Sequence, residues 1–185
     1  MNMSRDHRAR SLARGHTSPR FWIFATQLQM GRIETTRQLL SETGPSRQRY
    51  DALGIDVHFL LVAIQHLLSF QESYLKLTGD ERLTQGLEKF NRTAIDSTYL
   101  RNMLEHLDKY VVGEGRHQEE VSAAARELQP MFVEAGRHPE SDFQFVLGDY
   151  SIPVNTSASA AIELGELLER VWNDHFGDMK LSRSK

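Results

Sequence analysis

Residues 53–77, LGIDVHFLLVAIQHLLSFQESYLKL, decide the fold. Leu53, Leu60, Leu67 and Tyr74 recur every seven residues, and Val57, Ile64 and Phe70 widen the stripe. A helical period sustained this long predicts one helix with a broad apolar face. The middle of that helix, Phe59–Leu68, is apolar almost all round, so it is expected at the centre of the domain, running from about Ser46 to Leu77. Gly44-Pro45 stops whatever comes before it. Thr78-Gly79-Asp80 turns the chain after it, and Asp80 suits the cap of a following helix.

Working outward, Pro19 fits a first helical turn. A helical pattern then runs to about Glu42. Its expected inner stripe is Trp22, Ala25, Leu28, Gly31 and Thr35 or Leu39, with Phe21, Phe24 and Met30 nearby. Phe21, Trp22 and Phe24 are read as core rather than as a base-stacking or dimer surface. On the other side, a third helix is expected in two pieces. Glu81 to about Asn91 carries Leu83, Leu87 and Phe90; Ile95 to Val112 carries Leu100, Met103, Leu104, Leu107 and Val111. Asp96 or Ser97 caps or bends the junction, and Gly113-Glu114-Gly115 ends the second piece. Residues 117–129 are helix-prone but short.

Past residue 130 the pattern changes to alternation and β-branching. Pro130–Glu134, Phe143–Leu147 and Tyr150–Val154 read as short strands, with Gly148-Asp149 as a turn. Asn155-Thr156-Ser157 reads as the start of a last helix. Ala161, Ile162, Leu164, Leu167, Leu168, Val171 and Trp172 form its buried face, and it ends near Gly177. The expected class is therefore all-α: a four- or five-helix bundle with a small β-hairpin insertion, at about 130–154, before the last helix. Residues 1–18 are expected to be a disordered basic arm, 19–176 the helical domain, and 177–185 a flexible tail.

Composition narrows the functions. The 185 residues carry a net charge of −3, so the chain as a whole is no general nucleic-acid binder. The charge is uneven. Residues 1–20 hold five arginines against Asp6 alone, a net +4, which leaves −7 on the other 165 residues. Such an arm can meet phosphates or an acidic partner, yet no helix reads as a basic recognition helix, which argues against a DNA-binding regulator. The chain contains no cysteine, which excludes a disulfide framework, a thiolate nucleophile and a Cys-based zinc site. No apolar run is expected to approach the length of a membrane span, and a cytoplasmic location is expected. No Gly-rich phosphate loop and no Gly-x-Ser-x-Gly elbow is present.

One constellation carries chemistry: Arg101-Asn102-Met103-Leu104-Glu105-His106. Arg is a permanent cation whose planar fork suits phosphate. His moves protons near neutral pH. Asn positions either partner by hydrogen bonding. The loose spacing Arg-x(4–6)-His also occurs at Arg10–His16 and Arg170–His175, and chance alone predicts about two such pairs. Requiring Asn, Asp or His second leaves Arg101–His106 alone. On a straight helix Arg101 and His106 stand about 140° apart, so one phosphate would be gripped only across a two-fold axis or through a local distortion. Glu105 is expected on an exposed charged face. His66 shares a face with Val62 and Phe70 and is expected as a core histidine with a hydrogen-bonded tip. His58 and Asp56 lack clean metal-ligand spacing.

The motif and the long helices around it resemble the HEPN superfamily of helical nucleotide-binding domains over roughly residues 20–176. That resemblance implies a metal-independent endoribonuclease, with no metal and no cofactor, working as a homodimer with both motifs in a shared cleft. It implies RNA as substrate, a toxin or host-defence role, and an antitoxin or regulatory protein as partner. Arg101 would hold the phosphate, His106 would serve as acid–base group, and Asn102 would orient them. Two positions after the motif His, where some toxin members carry Tyr, this chain has Asp108. Non-catalytic members exist, so the alternative is a helical module that binds a protein or nucleotide partner.

Overall fold

The computed structural model describes residues 18–94, 96–106, 131–134 and 142–177. The expected basic arm, Leu107 and Val111, the helix-prone stretch 117–129 and most of the tail lie outside the described residues. Those described form a mostly helical bundle with a small sheet before the last helix. The helices are α1 (Pro19–Thr43), α2 (Arg47–Thr78), α3 (Glu81–Ala94), α4 (Ser97–Glu105) and α5 (Val154–Phe176). The strands are β1 (Met131–Glu134), β2 (Phe143–Leu147) and β3 (Tyr150–Pro153); the expected small hairpin is present as β2–β3, and β1 adds a third antiparallel strand to it.

α2 is the axis of the bundle, in contact with all four other helices. Ser46 caps it by accepting from Arg49 N–H, and Gly79, at φ 67, ends it in the left-handed conformation. Leu53, Val57, Leu60, Ile64 and Leu67 are buried. By length and hydropathy alone a stretch of α2 would qualify as a membrane span, contrary to the expectation that no run comes close. Its scattered polar residues weigh little in such an average. Leu60, Leu61, Ala63, Ile64 and Leu67 are packed inside the bundle, whereas Ile55 and Phe59 are exposed.

α1 turns a different face inward than its sequence suggests. Pro19, Ile23, Thr26 and Ile33 are buried, with Met30 and Leu40 packed against the core. Phe21, Phe24 and Leu28 are exposed, Phe24 to 62%. Both faces of α1 carry apolar residues, so periodicity alone does not choose between them. Packing chooses: Ile23 fits against Gly165 of α5, where an added Cβ would stand 2.5 Å from the Ile23 side chain. Thr26 satisfies its hydroxyl on Trp22 C=O, 2.8 Å, and so can be buried. Arg32 reaches across to the buried Asp56 carboxylate at 2.7 Å, which ties α1 to α2.

The sheet closes one end of the bundle. Phe143, Phe145, Leu147 and Ile152 point into the core, while Gln144 and Val146 are half-buried on the other side. Leu147 pairs with Tyr150 across Gly148-Asp149, and Gly148 supplies the positive φ such a two-residue turn needs. α5 begins at Val154, one residue before its expected start signal, and Asn155 and Thr156 act as donors rather than caps. Their N–H groups are held by the Asp142 carboxylate at 2.8 and 2.7 Å. The cap thus comes from before β2, a relation invisible to a local reading.

Candidate functional site

α4 carries the motif, and three attachments hold it in place. Leu100 and Met103 are buried. Thr98 Oγ1 bonds Gln65 Oε1 of α2 at 3.3 Å. On the other flank the Asp96 carboxylate accepts from Ser151 N–H at 3.1 Å, and Tyr99 stacks on Tyr150 with centroids 5.0 Å apart. The first turn of α4 is therefore anchored to α2 and β3, and the rest of the helix forms a platform beside them.

Arg101 and Asn102 lie on that platform, joined to each other. Arg101 Nη1 donates to Asn102 Oδ1 at 2.9 Å, and Nη2 meets Glu105 Oε2 at 2.6 Å. The Arg101 side chain is only 30% exposed, and its Nε is buried with no hydrogen-bond partner. Glu105 is exposed, as expected, and is at the same time the ion-pair partner of Arg101. A guanidinium already half-desolvated is a natural place for an acid four residues on to fold back.

His106 follows at once, but off the helix. α4 ends at Glu105, and His106 takes φ −127 and ψ 30 with its N–H on Asn102 O at 3.2 Å. The imidazole is exposed and makes no hydrogen bond or ion pair among the described residues. The straight-helix angle between Arg101 and His106 consequently does not apply, because the helix stops between them. Within one protomer the structure joins Arg101 to Asn102 and Glu105, and it does not join His106 to either.

A second histidine shares the neighbourhood. His66 is exposed, not a core residue, and its ring lies on Trp22 with centroids 3.8 Å apart and planes 10° from parallel. Partial burial lowers its pKa from the ordinary value, the Arg101 charge lowers it further, and Glu105 opposes both. His66 is therefore kept neutral near pH 7 beside the same guanidinium. Four further buried atoms on α1 and α2 have no hydrogen-bond partner among the described residues: Trp22 Nε1, Gln29 Oε1, His58 Nε2 and Gln71 Oε1. One clue to His66 was available in the sequence: Val62 and His66 lie away from the Leu60–Leu67 stripe. Nothing local marked Trp22 as its stacking partner.

The other arginine–histidine pair resolves differently. His175 Nε2 is 3.0 Å from Asp80 Oδ2, and Arg170 reaches only its helical neighbour Glu166 at 3.9 Å. Asp80 also takes the Arg82 fork, while Arg82 Nη1 bonds Asp174 at 2.7 Å. Hydrogen bonds from Arg82 and His175 hold the Asp80 carboxyl well below the usual carboxylate range. This network ties the start of α3 to the end of α5, far along the bundle from Arg101. Asp56, once paired with Arg32, is likewise structural. Among the described residues no three His, Asp or Glu side chains gather as metal ligands.

No family model, curated protein or solved structure matches the chain.

Proposed function

We propose that the chain is an HEPN-like, metal-independent endoribonuclease that acts as a cytoplasmic homodimer through Arg101, Asn102 and His106. The observation that carries this reading is the end of α4 between Glu105 and His106. It leaves an unengaged imidazole exposed in the turn, directly after a guanidinium locked to Asn102 on the last helical turn. In the proposed chemistry the ribose 2′-hydroxyl attacks the adjacent phosphorus and the 5′-oxygen leaves. This yields a 2′,3′-cyclic phosphate and a 5′-hydroxyl end. Arg101 meets the charge that builds on the phosphoryl oxygens, and His106 transfers a proton at the attacking or leaving oxygen. His66, neutral at pH 7, is a second proton acceptor near the same guanidinium. Glu105 holds the place of the phosphate in the free protein, and RNA would displace it.

One observation favours a second reading. Both terminal nitrogens of Arg101 already have partners, as they would in a purely structural pair. On that reading the chain is a non-catalytic helical module for a protein or nucleotide partner. RNA cleavage in EDTA decides between them, using wild type, His106→Ala and Glu105→Gln. The nuclease reading expects wild type to cleave, His106→Ala to lose about 100-fold or more, and Glu105→Gln to cleave at least as well as wild type. Equal cleavage by wild type and His106→Ala overturns it. So does no cleavage by wild type or Glu105→Gln across single-stranded and hairpin RNAs.

A further inference from the structure

A cavity of about 240 Å³ opens at the far end of α1, where the helix meets the start of α2 and the sheet. Arg37, Ser41, Tyr50, Leu53, Phe132 and Phe143 line it. Tyr50 on α2 lies roughly 24 Å along the helix axis from His66, so this space is separate from the Arg101 platform.

Its unusual member is Arg37. The inner face of α1 runs Pro19, Ile23, Thr26, Met30, Ile33, then Arg37, then Leu40. A permanent cation thus occupies a core-facing position. Its side chain is only 15% exposed, and its one ion pair among the described residues is to Glu34, 3.2 Å away and itself 65% exposed. An exposed i, i+3 carboxylate is a weak counter-charge. The guanidinium lies 4.5 Å over the centroid of the buried Phe143 ring. Only Nη1 is engaged; Nη2 and Nε bond nothing among the described residues. Nothing in the packing of the bundle requires a half-buried fork with two nitrogens unused.

The remaining walls define what would meet that fork. Tyr50 and Phe132 lie nearly parallel, 16° apart, and Phe132 leans on Phe143 and Phe145. The walls are thus aromatic rings and the aliphatic Leu40, Pro45 and Leu53, with one planar donor group and the Ser41 hydroxyl. The volume equals that of roughly eight waters and lies at the small end for ligand sites. It suits one or two fused rings and excludes a nucleotide. Two parallel N–H donors match a carboxylate in bidentate fashion.

We propose that this cavity is a binding site for a small planar aromatic carboxylate, held by Arg37 at its charged edge and lying against the rings of Tyr50 and Phe132, which are too close to each other for a ligand to enter between them. The test uses 2-naphthoate as ligand, followed by calorimetry and by amide NMR shifts, with 2-naphthalenemethanol and cyclohexanecarboxylate as controls. Binding of 2-naphthoate is expected, with both controls at least about tenfold weaker, because each lacks one of the two recognition elements. Arg37→Gln is expected to weaken 2-naphthoate by about tenfold or more, and Arg37→Lys to recover only part of that. Glu34→Gln frees Nη1 on an exposed helix face, leaves the fold intact, and should strengthen binding. The proposal is overturned if 2-naphthoate fails to bind wild type and Glu34→Gln at millimolar concentration. It is equally overturned if Arg37→Gln, shown folded by circular dichroism, binds it as well as wild type does.

Discussion

Arg101 and His106 stand five residues apart, and so do Arg170 and His175, but the two pairs end in opposite conditions. On α5 the helix continues through both residues. There Arg170 is an exposed member of an i, i+4 pair, and His175 is fastened to Asp80 across the bundle. On α4 the helix stops between them. Arg101 is drawn into a half-buried cage of Asn102 and Glu105, and His106 is left in solvent. Identical spacing therefore gives a cross-bundle clamp in one place and a caged arginine beside a solvent-exposed histidine in the other. What separates them is where the helix ends and which carboxylate lies in reach.

The sharpest way to break this comparison is to exchange chains. If His106 of one protomer works with Arg101 of the other, Arg101→Ala and His106→Ala are each inactive alone. Mixed and refolded together, they should regain about a quarter of wild-type ribonuclease activity, since half the dimers carry one intact composite site. Failure to regain activity would place the whole motif within one protomer. His175→Ala should leave cleavage unchanged in the same assay; a loss there would erase the distinction between the two pairs.

The scaffold role of α5 can be tested by stability. Gly165→Ala should destabilise the fold by about 1–3 kcal/mol despite its better helix propensity, because the new methyl meets Ile23 and Leu67. Urea unfolding would show a lower midpoint, and an unchanged midpoint would mean that α1 and α5 separate without cost. Next in size, Asp142→Ala should cost about 1 kcal/mol by the same measurement, through loss of the cap on α5.

The smallest effects are on pH. Asp80 has its folded pKa lowered, so its contribution is present above the ordinary carboxylate range and fades as pH falls through the folded value. Asp80→Asn should therefore lower the melting temperature at pH 7 and converge on wild type in strong acid. His66 is also lowered, but for a base this means the unfolded chain binds the proton first. Stability should fall slightly as pH drops below about 6.5, and His66→Gln should remove that slope. A slope of opposite sign would mean that Glu105 outweighs burial and Arg101 together at His66.

Much of the architecture was legible because it rests on local rules. The seven-residue recurrence of Leu53, Leu60, Leu67 and Tyr74 identified the central helix, and all four are buried. Gly44-Pro45 and Gly79 ended helices where positive φ is required. The strands fell within a residue of their alternating patterns. The inner face of α1 was not legible, since Leu28 and Phe24 compete with Ile23 and Ile33 on hydrophobicity alone. Of the candidate site, the sequence marked Arg101, Asn102 and His106 as a group, but Glu105 looked like ordinary surface and His66 like core.

Sequence alone determined what repeats at short range: helix periods, strand alternation, turn glycines and the presence of an Arg-Asn-x3-His group. These depend on neighbours within one or two turns. Tertiary structure decided whatever depends on distant partners. It chose the buried face of α1 through Gly165, capped α5 with Asp142, and laid His66 on Trp22. It also set the charge around Arg101, because burial on the α2–β3 platform is what makes Glu105 its partner. The physical reason is the same in each case: a side chain's environment is set by the element packed against it, and that element comes from elsewhere in the chain.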